Sequence, residues 1–116
     1  MPYHTQNEFV KWYFDSTYYE KTRQTREFEC LRLQYRSDTA SVEAWLYKPV
    51  RVDTALLPII LYCRGGMGNY GKLEPADLVN FQKMADAGFL VLATQYRFLG
   101  ASGKYDQHGG VDVNDV

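Results

Sequence analysis

The fold is decided by a glycine-rich stretch in the middle of the chain, Arg64-Gly65-Gly66-Met67-Gly68-Asn69-Tyr70-Gly71-Lys72. This stretch follows a continuous apolar run, Ile59 to Cys63, which begins after Pro58. A short unbroken apolar run bounded by proline and glycine is typical of a strand that is buried on both faces. We therefore expect Ile59 to Cys63 to form a central strand of a sheet, with the glycines in the loop at its carboxyl end.

A helix is predicted downstream of this loop. Pro75 suits the first turn of a helix, and Gly88 stands where a C-terminal cap belongs. The apolar residues that share one face at helical spacing are Leu78, Phe81 and Ala85. A second apolar run, Phe89 to Thr94, then predicts another strand. A strand, a helix and a strand in succession indicate a parallel crossover unit.

An antiparallel hairpin is predicted upstream of the glycine-rich stretch. Apolar and polar residues alternate from Glu27 to Arg36, with a change of phase after Cys30 that suggests a β-bulge. Turn-forming residues follow at Ser37-Asp38-Thr39-Ala40. A second alternating run extends from Val42 to Tyr47 and ends at Pro49, which completes the hairpin.

The two ends of the chain show weaker patterns. Thr5-Gln6-Asn7-Glu8 matches a capping box, which predicts a short helix from Phe9 to Phe14, although this aromatic run also fits a strand. Residues 1–26 are therefore interpreted as an N-terminal extension with helical character. At the other end, Phe98 to Gly110 is predicted to be a loop, and Val111 to Val116 the first turn of a second helix.

Two nucleotide-binding motifs overlap the glycine-rich stretch. Gly66-x-Gly68-x-x-Gly71 matches the dinucleotide fingerprint, in which backbone amides approach a pyrophosphate at a helix N-terminus. That motif would require the helix to start within it, which would place Pro75 in the helix interior, where proline removes a hydrogen bond and clashes. The carboxylate that should follow about 20 residues later is also missing, because that position falls in an apolar run.

A P-loop is the second nucleotide alternative. Gly66-x-x-x-x-Gly71-Lys72 fits its glycine and lysine positions. The motif then requires Ser or Thr as a magnesium ligand, and this chain has Leu73 there. A nucleotide-binding module built on Gly66 to Gly71 therefore stays open as an alternative that both motifs support only in part.

The third interpretation is an oxyanion loop. In α/β-hydrolases, a backbone amide from the loop after the third strand helps to stabilise the charge that develops on the substrate carbonyl oxygen. Glycines suit such a loop because the backbone must turn sharply and lie close to the substrate. A hairpin that precedes the buried strand also fits this interpretation better than a dinucleotide-binding fold.

Four segments, in order, resemble the prolyl-oligopeptidase-like and dienelactone-hydrolase-like enzymes of the α/β-hydrolase superfamily. They are Trp45-Leu46-Tyr47-Lys48-Pro49, Pro58-Ile59-Ile60-Leu61-Tyr62-Cys63-Arg64-Gly65-Gly66, Ala87-Gly88-Phe89-Leu90-Val91-Leu92-Ala93-Thr94-Gln95-Tyr96-Arg97 and Gly109-Gly110-Val111-Asp112-Val113-Asn114-Asp115-Val116. There are two departures: many relatives carry His-Gly-Gly where this chain has Arg64-Gly65-Gly66, and Phe98-Leu99 stand where a glycine often follows Tyr-Arg.

The resemblance implies an α/β fold in which residues 27–116 form the N-terminal part of an α/β-hydrolase domain, with an incomplete sheet that ends before the nucleophile elbow. It implies a serine hydrolase of peptidase or esterase type, which acts on a small ester or peptide by acyl transfer to a serine and needs no cofactor or metal. The backbone amides of Gly65, Gly66 and Met67 become the oxyanion-hole candidates. The rival from a non-enzymatic class is a truncated gene product without catalysis.

No catalytic triad can be assigned within the chain, so the 116 residues alone are predicted to be inactive. Ser102 fails the Gly-x-Ser-x-Gly motif at its last position. His108 is too near Ser102 in sequence to be the distal base, and His4 belongs to a tail that we expect to be loose.

The remaining polar candidates have ordinary structural explanations. Asp112 and Asp115 could be paired carboxylates, but charges near a helix N-terminus explain them better. Arg97 could bind a substrate carboxylate, although a structural salt bridge is favoured, and Tyr70 could donate to an oxyanion, although packing is favoured.

Composition excludes some partners. The net charge is −1 at pH 7, with no basic patch that would indicate nucleic-acid binding. The longest apolar run, from Leu56 to Cys63, is far shorter than the roughly 20 residues of a membrane span, and no secretory leader is visible. Cys30 and Cys63 lie in strand-like runs as expected small buried residues, which favours a cytoplasmic location. An incomplete sheet would leave an open edge, so self-association and partial folding are expected.

Overall fold

The computed structural model describes residues 1–51, 56–66, 70–97 and 111–116. The strands are β1 (Phe28–Ser37), β2 (Ala40–Pro49), β3 (Ile59–Cys63) and β4 (Leu90–Thr94). The helices are α1 (Glu8–Tyr13), α2 (Ser16–Gln24) and α3 (Leu78–Asp86), with short 3-10 helices at Tyr3–Thr5, Pro75–Asp77 and Val111–Asp115.

The four strands form one open mixed sheet in the order β1-β2-β4-β3. β1 pairs with β2 and β2 with β4 in antiparallel fashion, whereas β3 and β4 are parallel. An antiparallel hairpin thus leads into a parallel strand-helix-strand unit, which confirms the predicted α/β class and the arrangement of its elements.

The hairpin is regular along its whole length. Its register runs without a break from the pair Phe28 and Pro49 to the pair Ser37 and Ala40, so the predicted β-bulge is wrong. The change of apolar phase after Cys30 arises because both faces of β1 carry apolar side chains. Asp38, with a φ of 51°, lies in the two-residue turn, a conformation that aspartate tolerates.

The core lies between one face of the sheet and α3. Phe81 is fully buried against the rings of Tyr47 and Tyr62, and Trp45 and Val91 complete the same layer. The predicted helix is confirmed: the 3-10 turn begins at Pro75, and Gly88, with a φ of 95°, follows the C-terminal end.

β3 is less buried than its sequence predicts. Among the described residues its only partner is β4, and Ile59 and Leu61 are each 56% exposed. Their side chains alternate with those facing α3, so they lie on the opposite face of the sheet. Within the described residues β3 is therefore an edge strand that is not buried on both faces, which agrees with the expected open edge of an incomplete sheet. The expectation of a buried Cys63 is wrong, because Cys63 is exposed.

The N-terminal segment is helical, which excludes the strand alternative for Phe9 to Phe14. The predicted cap at Thr5 is wrong, because Asn7 is the N-cap and its Oδ1 accepts a hydrogen bond of 2.9 Å from the Val10 amide. Val10 of α1 and Phe14, which directly follows α1, pack against Val79 of α3, which attaches this segment to the rest of the fold.

The C-terminal residues form a 3-10 helix, Val111–Asp115, rather than the α-helical turn that was expected. None of the helices within the described ranges is long and apolar enough to cross a membrane.

Candidate functional site

The glycine-rich stretch places two pieces of backbone against each other at the carboxyl end of β3. Gly66 has a φ of 83°, and a Cβ added there would lie 2.0 Å from the carbonyl oxygen of Tyr70. Gly71 has a φ of 72°, and its added Cβ would lie 2.7 Å from the carbonyl oxygen of Gly65. Glycine is thus required at both positions, for the backbone angle and for the space. A Cβ at Gly65 would have no neighbour within 4 Å, so that residue tolerates a side chain.

The buried side chain of Arg64 holds this loop in place by hydrogen bonds to its carbonyl groups. The Arg64 Nη1 donates to the carbonyl oxygens of Gly65 at 3.1 Å and Tyr70 at 3.3 Å. Its Nε donates to the Gln95 carbonyl oxygen at 3.0 Å, beyond the end of β4. One guanidinium group therefore connects both arms of the glycine loop, which we define as residues 65–71, to the neighbouring parallel strand.

These hydrogen bonds fix the direction of a backbone amide. In a planar trans peptide, the C=O of one residue and the N–H of the next point in opposite directions. Because the Gly65 carbonyl points at Arg64, the N–H of Gly66 points away from that guanidinium. A backbone N–H donor held in a fixed direction is one of the parts from which an oxyanion hole is built.

Gln95 anchors the other end of the loop. Its side-chain Oε1 accepts a hydrogen bond of 2.9 Å from the Leu73 amide, and its Nε2 donates to the Leu73 carbonyl oxygen at 3.0 Å. Both residues are buried, so neither could lose these partners without leaving an unsatisfied polar group. The chain leaving the glycine loop is thus held in one position relative to β4.

A second polar cluster joins the C-terminal 3-10 helix to the hairpin turn. The Arg97 Nη2 donates to Asp115 Oδ1 at 2.7 Å and to Asp38 Oδ2 at 3.0 Å, and the Arg97 amide donates to Asp115 Oδ2 at 2.8 Å. The favoured structural salt bridge of Arg97 is confirmed. Asp115 ends its helix and pairs with Arg97, so its interpretation as a helix N-terminal charge is wrong.

Hydrogen bonds and burial shift the acidity of this cluster. Burial acts to raise the pKa of Asp115, but hydrogen bonds from Arg97 and Ser37 outweigh it, so the pKa of this carboxyl is lowered. Hydrogen bonds from Asn114 and Arg97 lower the pKa of Asp38. Both carboxylates are thus held in the charged form and serve to join segments of the fold.

The other predicted site residues are only partly accounted for. Met67, Ser102 and His108 lie outside the described residues, as does the side chain of Asp112. Tyr70 is 83% exposed, so the favoured packing role is wrong for this tyrosine. Among the described residues, no group of three or more His, Cys, Asp or Glu side chains could hold a metal ion.

The nucleotide alternatives lose their main structural requirement. The 3-10 turn begins at Pro75 and α3 at Leu78, so both follow Gly71 and neither begins within the motif. The described amides of the loop, at Gly65, Gly66, Tyr70 and Gly71, therefore do not belong to the N-terminus of either helix, which is the feature that binds a pyrophosphate.

The roles of Arg64 and Gln95 were not foreseen in the sequence. Each is a polar residue directly after an apolar strand, and this position is the signal that could have indicated them. Because the carboxyl ends of parallel strands meet at the same edge of a sheet, such residues are placed to contact the loops there.

No family model and no curated protein matches this chain. Among solved structures, it is similar to a proposed carboxylesterase from Lactobacillus plantarum, with 15% identity and a TM-score of 0.47 over 64% of this chain and 30% of that chain. It is also similar to acetyl xylan esterase 1 from Thermoanaerobacterium sp., with 18% identity and a TM-score of 0.37 over 90% of this chain and 34% of that chain. The chain spans about a third of the length of these structures. Both TM-scores lie below 0.5, so neither likeness bears on function.

Proposed function

We propose that this chain is the N-terminal part of an α/β-hydrolase that cleaves an ester or peptide bond by acyl transfer to a serine. Within it, the backbone amides around Gly65, Gly66 and Met67 form part of the oxyanion hole. The observation that carries the proposal is the direction of the Gly66 amide, which the hydrogen bond from Arg64 to the Gly65 carbonyl sets at the carboxyl end of β3.

The chemistry assigned to the loop is electrostatic. When a serine oxygen attacks the substrate carbonyl, negative charge accumulates on the carbonyl oxygen, and N–H donors already in place stabilise it without reorganisation. Expulsion of the alcohol or amine then leaves an acyl-serine, which water hydrolyses to regenerate the serine. Arg64 and Gln95 position the loop and do not contact the reacting atoms.

The serine, its histidine and its carboxylate are proposed to lie outside these 116 residues, in the order Ser, Asp, His. The chain by itself is then inactive, because the loop supplies donors but no nucleophile. Arg64 in place of the histidine of many relatives is compatible with this proposal, since the oxyanion donors are backbone amides and the side chain supports them from behind.

A fluorophosphonate reagent, which reacts with activated serines, tests the proposal. The isolated 116-residue chain should remain unlabelled, at Ser102 as elsewhere. The product of the gene extended beyond Val116 should be labelled once, at the serine of a Gly-x-Ser-x-Gly motif, and mutation of that serine to alanine serves as the control. Labelling at Ser102, or a downstream reading frame with no such motif, would reject the assignment.

A further inference from the structure

A groove of about 600 Å³ lies between α1 and the second half of the glycine loop. The residues that line it include Asn7, Phe9, Tyr13, Tyr70, Lys72 and Glu74. Its volume falls in the roughly 300–1,000 Å³ that small-molecule sites occupy. The Tyr70–Gly71 side of the groove is the same backbone that packs against Gly65 and Gly66, so the groove adjoins the candidate oxyanion donors.

Aromatic rings make up much of the groove surface and are left in contact with water. Phe9 is 65% exposed, Tyr13 56% and Tyr70 83%. The rings of Phe9 and Tyr13 are stacked, with centroids 5.8 Å apart and planes only 13° from parallel. Exposed apolar side chains that are grouped in a concavity mark a binding surface, because single exposed ones need no explanation but clusters do.

From these contacts we propose that the groove binds the aryl group of an ester substrate. This inference rests on the proposed function and names its substrate class. Aromatic rings attract one another through offset-stacked and edge-to-face contacts that a saturated ring of similar size does not make. Two nearly parallel rings on α1 and a third on the glycine loop provide such contacts from two sides of the groove.

Charged groups on the groove favour a small ligand over a protein partner. Lys72 and Glu74 are exposed lining residues, and the carboxyl of Asp77, which also lines the groove, has a pKa that burial raises. Charged residues are depleted at the centre of protein interfaces, whereas ligand pockets combine an aromatic lining with a few polar groups that orient the ligand. A ring bound here would place the rest of the ester beside the glycine loop.

Direct binding to the complete protein tests this, with its nucleophilic serine replaced by alanine so that no turnover occurs. Acetanilide is the aryl probe, and N-cyclohexylacetamide is its saturated counterpart; neither is an ester. In a titration followed by ¹H–¹⁵N NMR, acetanilide should shift the amides of Phe9, Tyr13 and Tyr70 saturably and bind several-fold more tightly than the cyclohexyl compound. Phe9→Ala and Tyr70→Ala should each weaken acetanilide binding roughly 2- to 10-fold.

Leu56→Ala is the matched control, since Leu56 is 85% exposed and does not line the groove. It should leave the affinity unchanged, and far-UV circular dichroism should show that all three variants retain the fold. Equal affinity for the two probes, unaltered affinity in Phe9→Ala, or no saturable binding would overturn the proposal. Loss of an oligomer in Phe9→Ala, seen by sedimentation without acetanilide binding, would instead make the groove a contact between copies.

The outcomes separate this inference from the proposed function. If acetanilide binds as described but the complete protein hydrolyses no ester, the hydrolase assignment fails and the aryl site stands as a binding site. If the complete protein hydrolyses esters with no preference for aryl over cyclohexyl groups, the aryl site fails and the hydrolase assignment stands.

Discussion

Replacing Asp115 by asparagine should destabilise the fold strongly, because it leaves a buried guanidinium without its main counter-charge. The side chains of Arg97 and Asp115 are 8% and 0% exposed, and their closest atoms are 2.7 Å apart. Removing one partner of a buried ion pair costs roughly 3–5 kcal/mol. We expect a value below this range, about 1.5–3 kcal/mol, since Asp38 still contacts Arg97 at 3.0 Å and the asparagine oxygen still accepts one hydrogen bond.

The effect of Asp115→Asn should depend on pH with a defined sign. Because the folded-state pKa of Asp115 is lowered, its stabilising contribution is present above the unfolded-state pKa of about 3.9 and is lost as pH falls through the lower folded value. The difference in unfolding free energy between wild type and variant should therefore be full at pH 7 and shrink below about pH 4.

Urea unfolding followed by far-UV circular dichroism, at neutral and acidic pH, measures this difference. Asp38→Asn is the matched control, because its side chain is 51% exposed and the turn position tolerates asparagine, and it should have a much smaller effect. Equal losses in the two variants, or a loss for Asp115→Asn that is the same at both pH values, would refute the assignment of the buried pair.

Three further predictions concern the sheet and the core. Leu61→Lys, on the open edge, should reduce the mass of assemblies seen by sedimentation, because an edge lysine disfavours strand pairing; an unchanged mass would exclude self-association through β3. Phe81→Ala, at a fully buried position, should cost roughly 3–5 kcal/mol in urea unfolding. Trp12→Ala, at an 81% exposed position, should change stability by no more than about 0.5 kcal/mol, and similar losses in the two would contradict the described core. Burial raises the pKa of Tyr47 to about 12, so its contribution to stability is present below the unfolded value of about 10 and is lost as pH rises through 12. An alkaline melt in which Tyr47→Phe and wild type lose stability in parallel would contradict this.

Local sequence patterns predicted which segments form strands and helices. They did not predict which faces of these elements are covered by other parts of the fold. The hairpin turn at Asp38 and the helix between Pro75 and Gly88 follow from turn and cap chemistry, which depends on neighbouring residues. The exposure of Leu61 does not follow from the local sequence, because an apolar run looks the same whether one face of the strand or both faces are packed.

The candidate site likewise has features that the local sequence predicts and features that it does not. The two required glycines, Gly66 and Gly71, are evident in the sequence because only glycine serves at such positions. The residues that hold the loop in place are not evident in the sequence. Arg64 contacts Gln95, which is 31 residues away along the chain, and Gln95 contacts Leu73, which is 22 residues away. Such contacts depend on which strands become neighbours, and the pattern of a single strand does not contain that information.

The most direct test of the oxyanion assignment compares Gly66→Ala with Leu56→Ala in the complete protein. A methyl group at Gly66 would lie 2.0 Å from the Tyr70 carbonyl oxygen, so the backbone that carries the Gly66 amide must shift, whereas Leu56 is 85% exposed and lies outside the glycine loop. Loss of one oxyanion donor costs roughly 10²- to 10³-fold in kcat. We expect a loss of that order in the kcat for ester hydrolysis by Gly66→Ala, with Leu56→Ala close to wild type. Equal rates in the two variants would contradict the assignment.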